Sequence, residues 1–380
     1  DLSNSNLTAA DLSGKDLTEM ILIGADLTDV DITGTILRGA DLTDVNLTGV
    51  DLSDMDLTGT VLIGADLIDV NLTGVDLSVM DLTSANLSGL DLSSKDLTKT
   101  ILSDADLTNT ILPYGVLSGK NFVSTKFNGV DLSGKDLSAS KFQFAMFNNA
   151  NLQNADLTDS EFIQVDLTKI KNKSLAGADL TDASFAYSNL SGVNMADVIL
   201  NTINFWHTKL PGVDFTVADV IDDGLLFVDS DLSNSNFEGV NLAPKLQYSN
   251  TFENKAYLIG DLTQSSENEI KIRDELFGVD DNIPLLLLIF SAEVDGNDLT
   301  VNYGFRNNFG LANLENANFK NADLRFVDFY SASLVNADLS GADLTNAILL
   351  GADLEGAILD NAILSNANLK CINHPICLNE

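Results

Sequence analysis

The chain has 380 residues, with 56 Asp and Glu against 20 Lys and Arg and a formal net charge of −36. That surplus excludes direct binding to nucleic acid or to an anionic membrane surface. The apolar run Leu285 to Phe290 is far too short to span a bilayer, so no membrane insertion by this segment is expected.

From Leu2 to Leu167 a large apolar residue occupies every fifth position without a slip. Asp or Asn usually precedes it and Ser or Thr follows, as in Ala40-Asp41-Leu42-Thr43-Asp44. A period of five suits neither regular element. On a helix the leucines would wander around every side, and in an unbroken strand they would alternate faces. The pattern is satisfied if each unit is a very short strand followed by a corner. The central residue and the one two before it then share the inner side. That inner partner is small or apolar at Ala10, Ala25, Val30, Ala40, Val45 and Val50. The chain therefore winds as a tube whose units bury their apolar side against their neighbours. It opens at Asp1 with no Met, as a processed chain or a segment of a longer protein would.

The units Ala25-Asp26-Leu27-Thr28-Asp29 and Ala342-Asp343-Leu344-Thr345-Asn346 resemble the A-(D/N)-L-x-x motif of the pentapeptide-repeat proteins. The resemblance covers about 1–170, 173–243 and 307–370. It implies an all-β solenoid, a right-handed quadrilateral β-helix with four units and 20 residues per coil. The family's functions are diverse and mostly non-enzymatic, so the resemblance bears on fold more than on role.

Residues 41–65 and 66–90 look like a duplication of five units, which rotates each copy by one face. Beyond residue 113, Phe122, Phe127, Phe142 and Phe147 become central, and the tube must widen or shed inner bulk there. Ala145, Ala150 and Ala155 meet that demand. Lys15, Lys95, Lys120 and Lys135 break the rule by taking the inner position. They either snorkel outward at corners or form an internal ion pair with an Asp. The register slips at Lys169–Ser174 and again around Asp222–Leu226. From Ala243 to about Arg306 the repeat is lost. There Ser266-Glu267-Asn268-Glu269 forms a capping box, with Gly278 to stop the helix. Asn282–Glu293 and Leu299–Tyr303 read as strands about a turn at Asp295-Gly296. The expected organisation is a β-helix over 1–170, its continuation with slips over 171–243, a small α+β insertion over 244–306, C-terminal repeats over 307–370 and a cysteine-containing cap over 371–380. In that cap, a Cys371–Cys377 disulfide clipping a terminal loop is the preferred reading, and it implies an oxidising compartment. Zinc on Cys371-x2-His374-x2-Cys377 would have only three ligands, so no metal is expected; reduced thiols are the remaining alternative.

No residues point to catalysis. The two histidines, His207 and His374, lie far apart, and His207 beside Trp206 reads as a surface pair. No nucleophile elbow, P-loop or dinucleotide fingerprint is present, and no carboxylate pair stands out from the rest. No cofactor is expected. Three classes remain. The first is a structural or protein-interaction element, extracellular or at a cell surface, with a protein partner or a second copy of the chain. The second, implied by the resemblance, is a cytoplasmic DNA mimic binding a type II topoisomerase. About fifteen coils at ~4.8 Å give roughly one charge per 2 Å, near the one per ~1.7 Å of duplex DNA. The third is ice or mineral binding by stacked Ser and Thr.

One face carries a pattern of its own. With 20 residues per coil, the outward column 1, 21, 41, 61, 81, 101 reads Asp1, Ile21, Asp41, Val61, Asp81, Ile101. Ile23 and Ile63 flank the apolar rungs, and Thr43 and Thr83 the acidic ones. Either chance or a relic of duplication produced this, or Ile21, Ile23, Val61, Ile63 and Ile101 form a docking face.

Overall fold

Hydrogen bonds show how the corner is built into a pentad. The Ala25 N–H donates to the Leu22 carbonyl at 2.9 Å. This closes a turn whose third residue, Gly24, has φ +65°. Asp29 and Asn109 take the same left-handed position at φ 54° and 57°. That backbone disfavours most side chains and is best tolerated by Gly, Asn and Asp. The polar residues around each leucine cap the turn. Oδ1 of Asp26 accepts from the Thr28 N–H at 3.0 Å and from its hydroxyl at 2.6 Å. Asn46 does the same for Thr48, which is why Asp and Asn interchange before the leucine.

Between corners the chain pairs with the next coil. The Leu22 N–H donates to Asp41 O and the Asp41 N–H to Met20 O, both at 2.9 Å. Parallel bridges join residues 20 apart on four sides, at Asp11–Asp31, Asp16–Ile36, Ile21–Asp41 and Asp26–Asn46. The fold is the right-handed quadrilateral β-helix that the resemblance implied.

The computed structural model describes residues 1–115, 117–220, 224–244, 248–252, 287–295 and 298–378. They fall into two units, Asp1–Val198 and Ile199–Glu380. In the first, the central leucines are buried from Leu17 onward. Further along, Phe122, Phe142, Phe162 and Phe185 stack in one column with centroids 5.4, 4.5 and 4.9 Å apart. Phe127 and Phe147 stack beside them at 5.2 Å. Such pairs add about 0.5–1.5 kcal/mol each beyond their burial. Ala145, Ala150 and Ala155 are buried and make the room. The slip after Lys169 is taken up by a short 3-10 helix, Lys171–Lys173, and the ladder re-forms as Asp156–Asp179, Glu161–Ser184 and Asp166–Asn189.

In the second unit, β1 (Ile199–Leu200) pairs in parallel with β2 (Asp219–Val220). The chain then leaves the tube after Ala243 and returns at Asn307 onto the coil it left. Leu226 bridges Asn308, Asp231 bridges Asn313 and Asn236 bridges Asn318. The departing segment includes a three-stranded antiparallel sheet of β3 (Tyr248–Phe252), β4 (Leu287–Asp295) and β5 (Asp298–Phe305), in the order β3-β5-β4. β3 has no counterpart in the sequence reading. The helix expected between Ser266 and Gly278, and Gly296 of the expected turn, lie outside the described residues. At the C-terminal end the structure bonds Cys371 to Cys377, and the Leu378 N–H donates to Leu369 O at 2.9 Å.

Three of the inward lysines correct both sequence readings. Lys95, Lys120 and Lys135 neither snorkel outward nor pair with an Asp, whereas Lys15 is exposed, as the snorkelling reading expects. The Lys95 ammonium donates to Leu72 O and Val75 O at 2.5 and 2.9 Å. Lys120 donates to Thr98 O and Thr100 O at 3.2 Å each, and Lys135 to Leu112 O and Pro113 O at 3.1 Å each. Each of these three reaches the backbone of the preceding coil, which Lys15, in the first coil, does not have. At Lys95 and Lys135, which each reach a central leucine carbonyl, the physical reason is a spare lone pair; Lys120 reaches two threonine carbonyls instead. A central leucine carbonyl uses one lone pair in its own turn and presents the other to the coil stacked on it. Thr35, Thr100 and Thr125 use the same acceptor, donating to Leu12 O, Leu77 O and Leu102 O. Burial pulls the Lys95, Lys120 and Lys135 amines below their ordinary pKa.

The ladder beside Lys95 and Lys135 is also discontinuous. On their side of the tube, described bridges join Asp11–Asp31, Asp51–Asn71, Asp91–Ile111 and Asp131–Asn151, and skip the steps between. The skipped steps carry Met55, Lys95 and Lys135 at the inward position, whereas the bridged ones carry Thr35, Val75, Gly115 and Ala155. Slits of about 280 and 410 Å³ remain in front of Lys95 and Lys135.

Candidate interaction face

The column singled out in the sequence is one physical column. Ile21 bridges Asp41 and Asp41 bridges Val61, while Asp81 bridges Ile101. Among the described residues no bridge joins Val61 to Asp81, where the Gly64 N–H donates to Thr83 O at 2.8 Å across the step. Ile21, Ile23 and Ile101 are 43%, 37% and 46% exposed, while Val61 and Ile63 are half-buried. The strand places each of these side chains outward because its neighbour, Leu22, Leu62 or Leu102, points into the core. The acidic rungs between are half-buried. Asp41 Oδ1 accepts from the Thr43 N–H at 3.1 Å and its hydroxyl at 2.6 Å, and Asp81 Oδ1 does the same for Thr83 at 3.0 and 2.6 Å. The face is thus a stack of alternating apolar and acidic rungs, each acidic side chain tied by one oxygen to its own turn.

Elsewhere the carboxylates do similar work. Threonine hydroxyl bonds, followed by threonine N–H bonds, hold Asp16, Asp26, Asp56 and Asp96 below the usual carboxylate range. Burial does the reverse at Asp328, raising its pKa against the Tyr330 N–H bond and the weaker pull of Arg306. His207 is half-buried and lies 3.0 Å from Asp229 Oδ2, with exposed Trp206 alongside at a ring distance of 4.7 Å. Among the described residues, no group of three or more His, Cys, Asp or Glu could hold a metal ion, and no helix is long and apolar enough to cross a membrane.

Sequence reasoning missed Asn307, which pins the returning chain. It is 1% exposed, its Oδ1 accepts from the Leu225 N–H at 2.8 Å, and its Nδ2 donates to Leu242 O at 2.7 Å. The only signal was its place, where the repeat resumes.

A family model described as pentapeptide repeats (8 copies) matches residues 1–39, 40–78, 61–98, 80–112, 100–138, 136–171, 172–201, 308–346 and 337–370. The chain belongs to the pentapeptide repeat family. Among similar solved structures is HetL, a pentapeptide repeat protein involved in heterocyst differentiation regulation from the cyanobacterium Nostoc sp. strain PCC 7120. It is 22% identical over 77% of this chain and 89% of its own, with a TM-score of 0.33. A pentapeptide repeat protein from the Arabidopsis thaliana thylakoid lumen is 29% identical over 30% of this chain and 70% of its own, with a TM-score of 0.14. A trypsin-treated form of QnrB1, a plasmid-mediated fluoroquinolone resistance protein, is 13% identical over 70% of this chain and 91% of its own, with a TM-score of 0.21. No curated protein sequence matches the chain.

Proposed function

We propose that the chain is a non-catalytic interaction element that docks a protein partner on the face bearing Ile21, Ile23, Val61, Ile63 and Ile101. The observation that carries this reading is the column itself, apolar at every second coil on a strongly acidic protein. Isolated exposed isoleucines are ordinary, but a column with an apolar rung at every second coil gives a partner a repeating hold. A cell-surface or extracellular site is part of the proposal, supported by the Cys371–Cys377 bond. Solvent footprinting of the native assembly tests the docking face: the five side chains are expected to be protected there and reactive in the isolated chain. Finding them equally reactive in both would end this reading. Intact mass of cell-derived protein with and without reductant tests the compartment, since a reduced pair in material protected from air argues for the cytoplasm.

A second reading, mimicry of duplex DNA toward a type II topoisomerase, draws on Asp56, Asp76 and Asp96. They lie 20 residues apart with their carboxyls held below the usual range by Thr58, Ser78 and Thr98. A supercoiling assay with purified topoisomerase addresses it, and no effect at micromolar protein would remove it.

A further inference from the structure

We infer that the occupant of this face is a basic amphipathic α-helix of another protein, lying along the stacking direction with apolar side chains seven residues apart. The inference rests on the docking reading above and names the partner's chemistry.

Spacing selects a helix. Bridged coils stack at ~4.8 Å, so Ile21 and Val61, two bridged steps apart, lie ~9.6 Å apart. The Val61–Asp81 step is held by the Gly64 N–H to Thr83 O bond, and the same rise sets Ile101 at about the same interval. Seven residues of α-helix advance ~10.5 Å and return to nearly the same side. A helix therefore presents one apolar residue per rung, and across the three rungs the accumulated mismatch is only ~2 Å. Three or four residues beyond each apolar position, the same helix side comes level with Asp41 and Asp81. An extended strand fails the match. Its same-side residues recur at ~6.8 Å, which falls between one coil and two.

Charge selects among helices. Asp41 and Asp81 use Oδ1 to cap their own turns, and the second carboxylate oxygen of each is not part of that cap. Lys or Arg on the incoming helix, midway between its apolar residues, complements these rungs. A second copy of the chain does not, because it brings its own net charge of −36 to the same surface. The other columns lack the alternation. The next face reads Asn6, Asp26, Asn46, Asp66, Asn86, Asp106, polar at every coil.

The test uses the full chain and two labelled 18-residue helical peptides of identical composition. One carries Leu every seven residues with Arg midway on the same side; the other carries the same Leu and Arg at five-residue spacing. Fluorescence anisotropy should show the first binding at least about tenfold more tightly. Two sets of variants locate the site without endangering the fold. I21D/I23T with I101D rebuilds the first and third apolar rungs as the Asp-Leu-Thr and Asp-Leu-Ser units already used throughout the tube. D41N with D81N keeps the caps, as Asn46 does for Thr48. Each set should weaken the seven-spaced peptide at least about tenfold. Equal affinity for the two peptides, no binding at millimolar concentration, or indifference to either variant set would overturn the helix. If footprinting still shows the five side chains protected, the docking reading survives with a partner of another shape. If they are bare, both fall.

Discussion

Replacing Asn307 by Ala should be among the most damaging single changes in the second unit. The side chain is 1% exposed and serves two backbone groups that the insertion would otherwise leave without partners: the Leu225 N–H at 2.8 Å and the Leu242 carbonyl at 2.7 Å. Ala cannot replace either bond. A buried backbone group left unsatisfied costs about 1–3 kcal/mol, so the pair sets an expected loss of roughly 3 kcal/mol. Trp206, the single tryptophan, belongs to the same unit and provides the assay. Urea unfolding followed by its fluorescence should show a lower midpoint with an unchanged slope. Asn307→Asp sharpens the reasoning. It keeps the acceptor for Leu225 but sets a carboxylate oxygen against the Leu242 carbonyl, so at neutral pH it should lose at least as much. If Asn307→Ala unfolds within about 0.5 kcal/mol of the parent, the two bonds do not hold the returning chain as argued.

The insertion itself should be removable. Deleting residues 245–306 shortens the separation of Asp231 and Asn313 from 82 residues to the regular 20, and the tube should still fold, as read by circular dichroism and the Trp206 transition. Loss of cooperative unfolding would show that the sheet is needed. Lys120→Met should change the alkaline behaviour of the first unit. Because burial lowers the Lys120 pKa below 10.5, the unfolded chain binds more protons between the two values, and stability rises with pH across that window. Thermal scans from neutral pH to about 10.5 should show a smaller rise in the variant, and an unchanged rise would refute the assignment. Asp26→Asn should act at the acid end. The folded carboxyl is held below 3.8, so its contribution is complete above that value and fades as pH falls through the lowered pKa. Asn keeps the cap without titrating, so the acid unfolding midpoint followed by circular dichroism should move to lower pH.

The repeat was legible because its signal is local. A leucine every fifth residue, with Asp before it and Thr after it, specifies inner position, turn and cap within a single unit such as Asp41-Leu42-Thr43. What was not legible depends on the coil below. Nothing around Lys120 in sequence reveals that carbonyls at Thr98 and Thr100 lie within its reach, so an ammonium at an inward position looked like an error to be snorkelled away. Asn307 is hidden in the same manner, since its partners lie 82 and 65 residues away. β3 escaped notice because Tyr248–Phe252 has neither the period of five nor a hairpin turn next to it. The alternation of Ile21, Asp41, Val61, Asp81 and Ile101 could be read in advance because that stretch has no slip, and counting by twenty stays true there.

Past the slips, counting fails but the core keeps its order. Phe205, Phe227, Phe309 and Phe329 form one uninterrupted stack with centroids 5.2, 4.7 and 5.4 Å apart, although the middle pair is separated by the whole insertion. A residue's effective address in this molecule is its column and its coil, and linear distance along the chain is a poor guide to its neighbours. Substitutions at Phe227 should be compensated from Phe309 sooner than from Leu232, the next core residue in sequence. Any attempt to lengthen, shorten or graft this tube must therefore conserve column order and can spend residues freely at the corners.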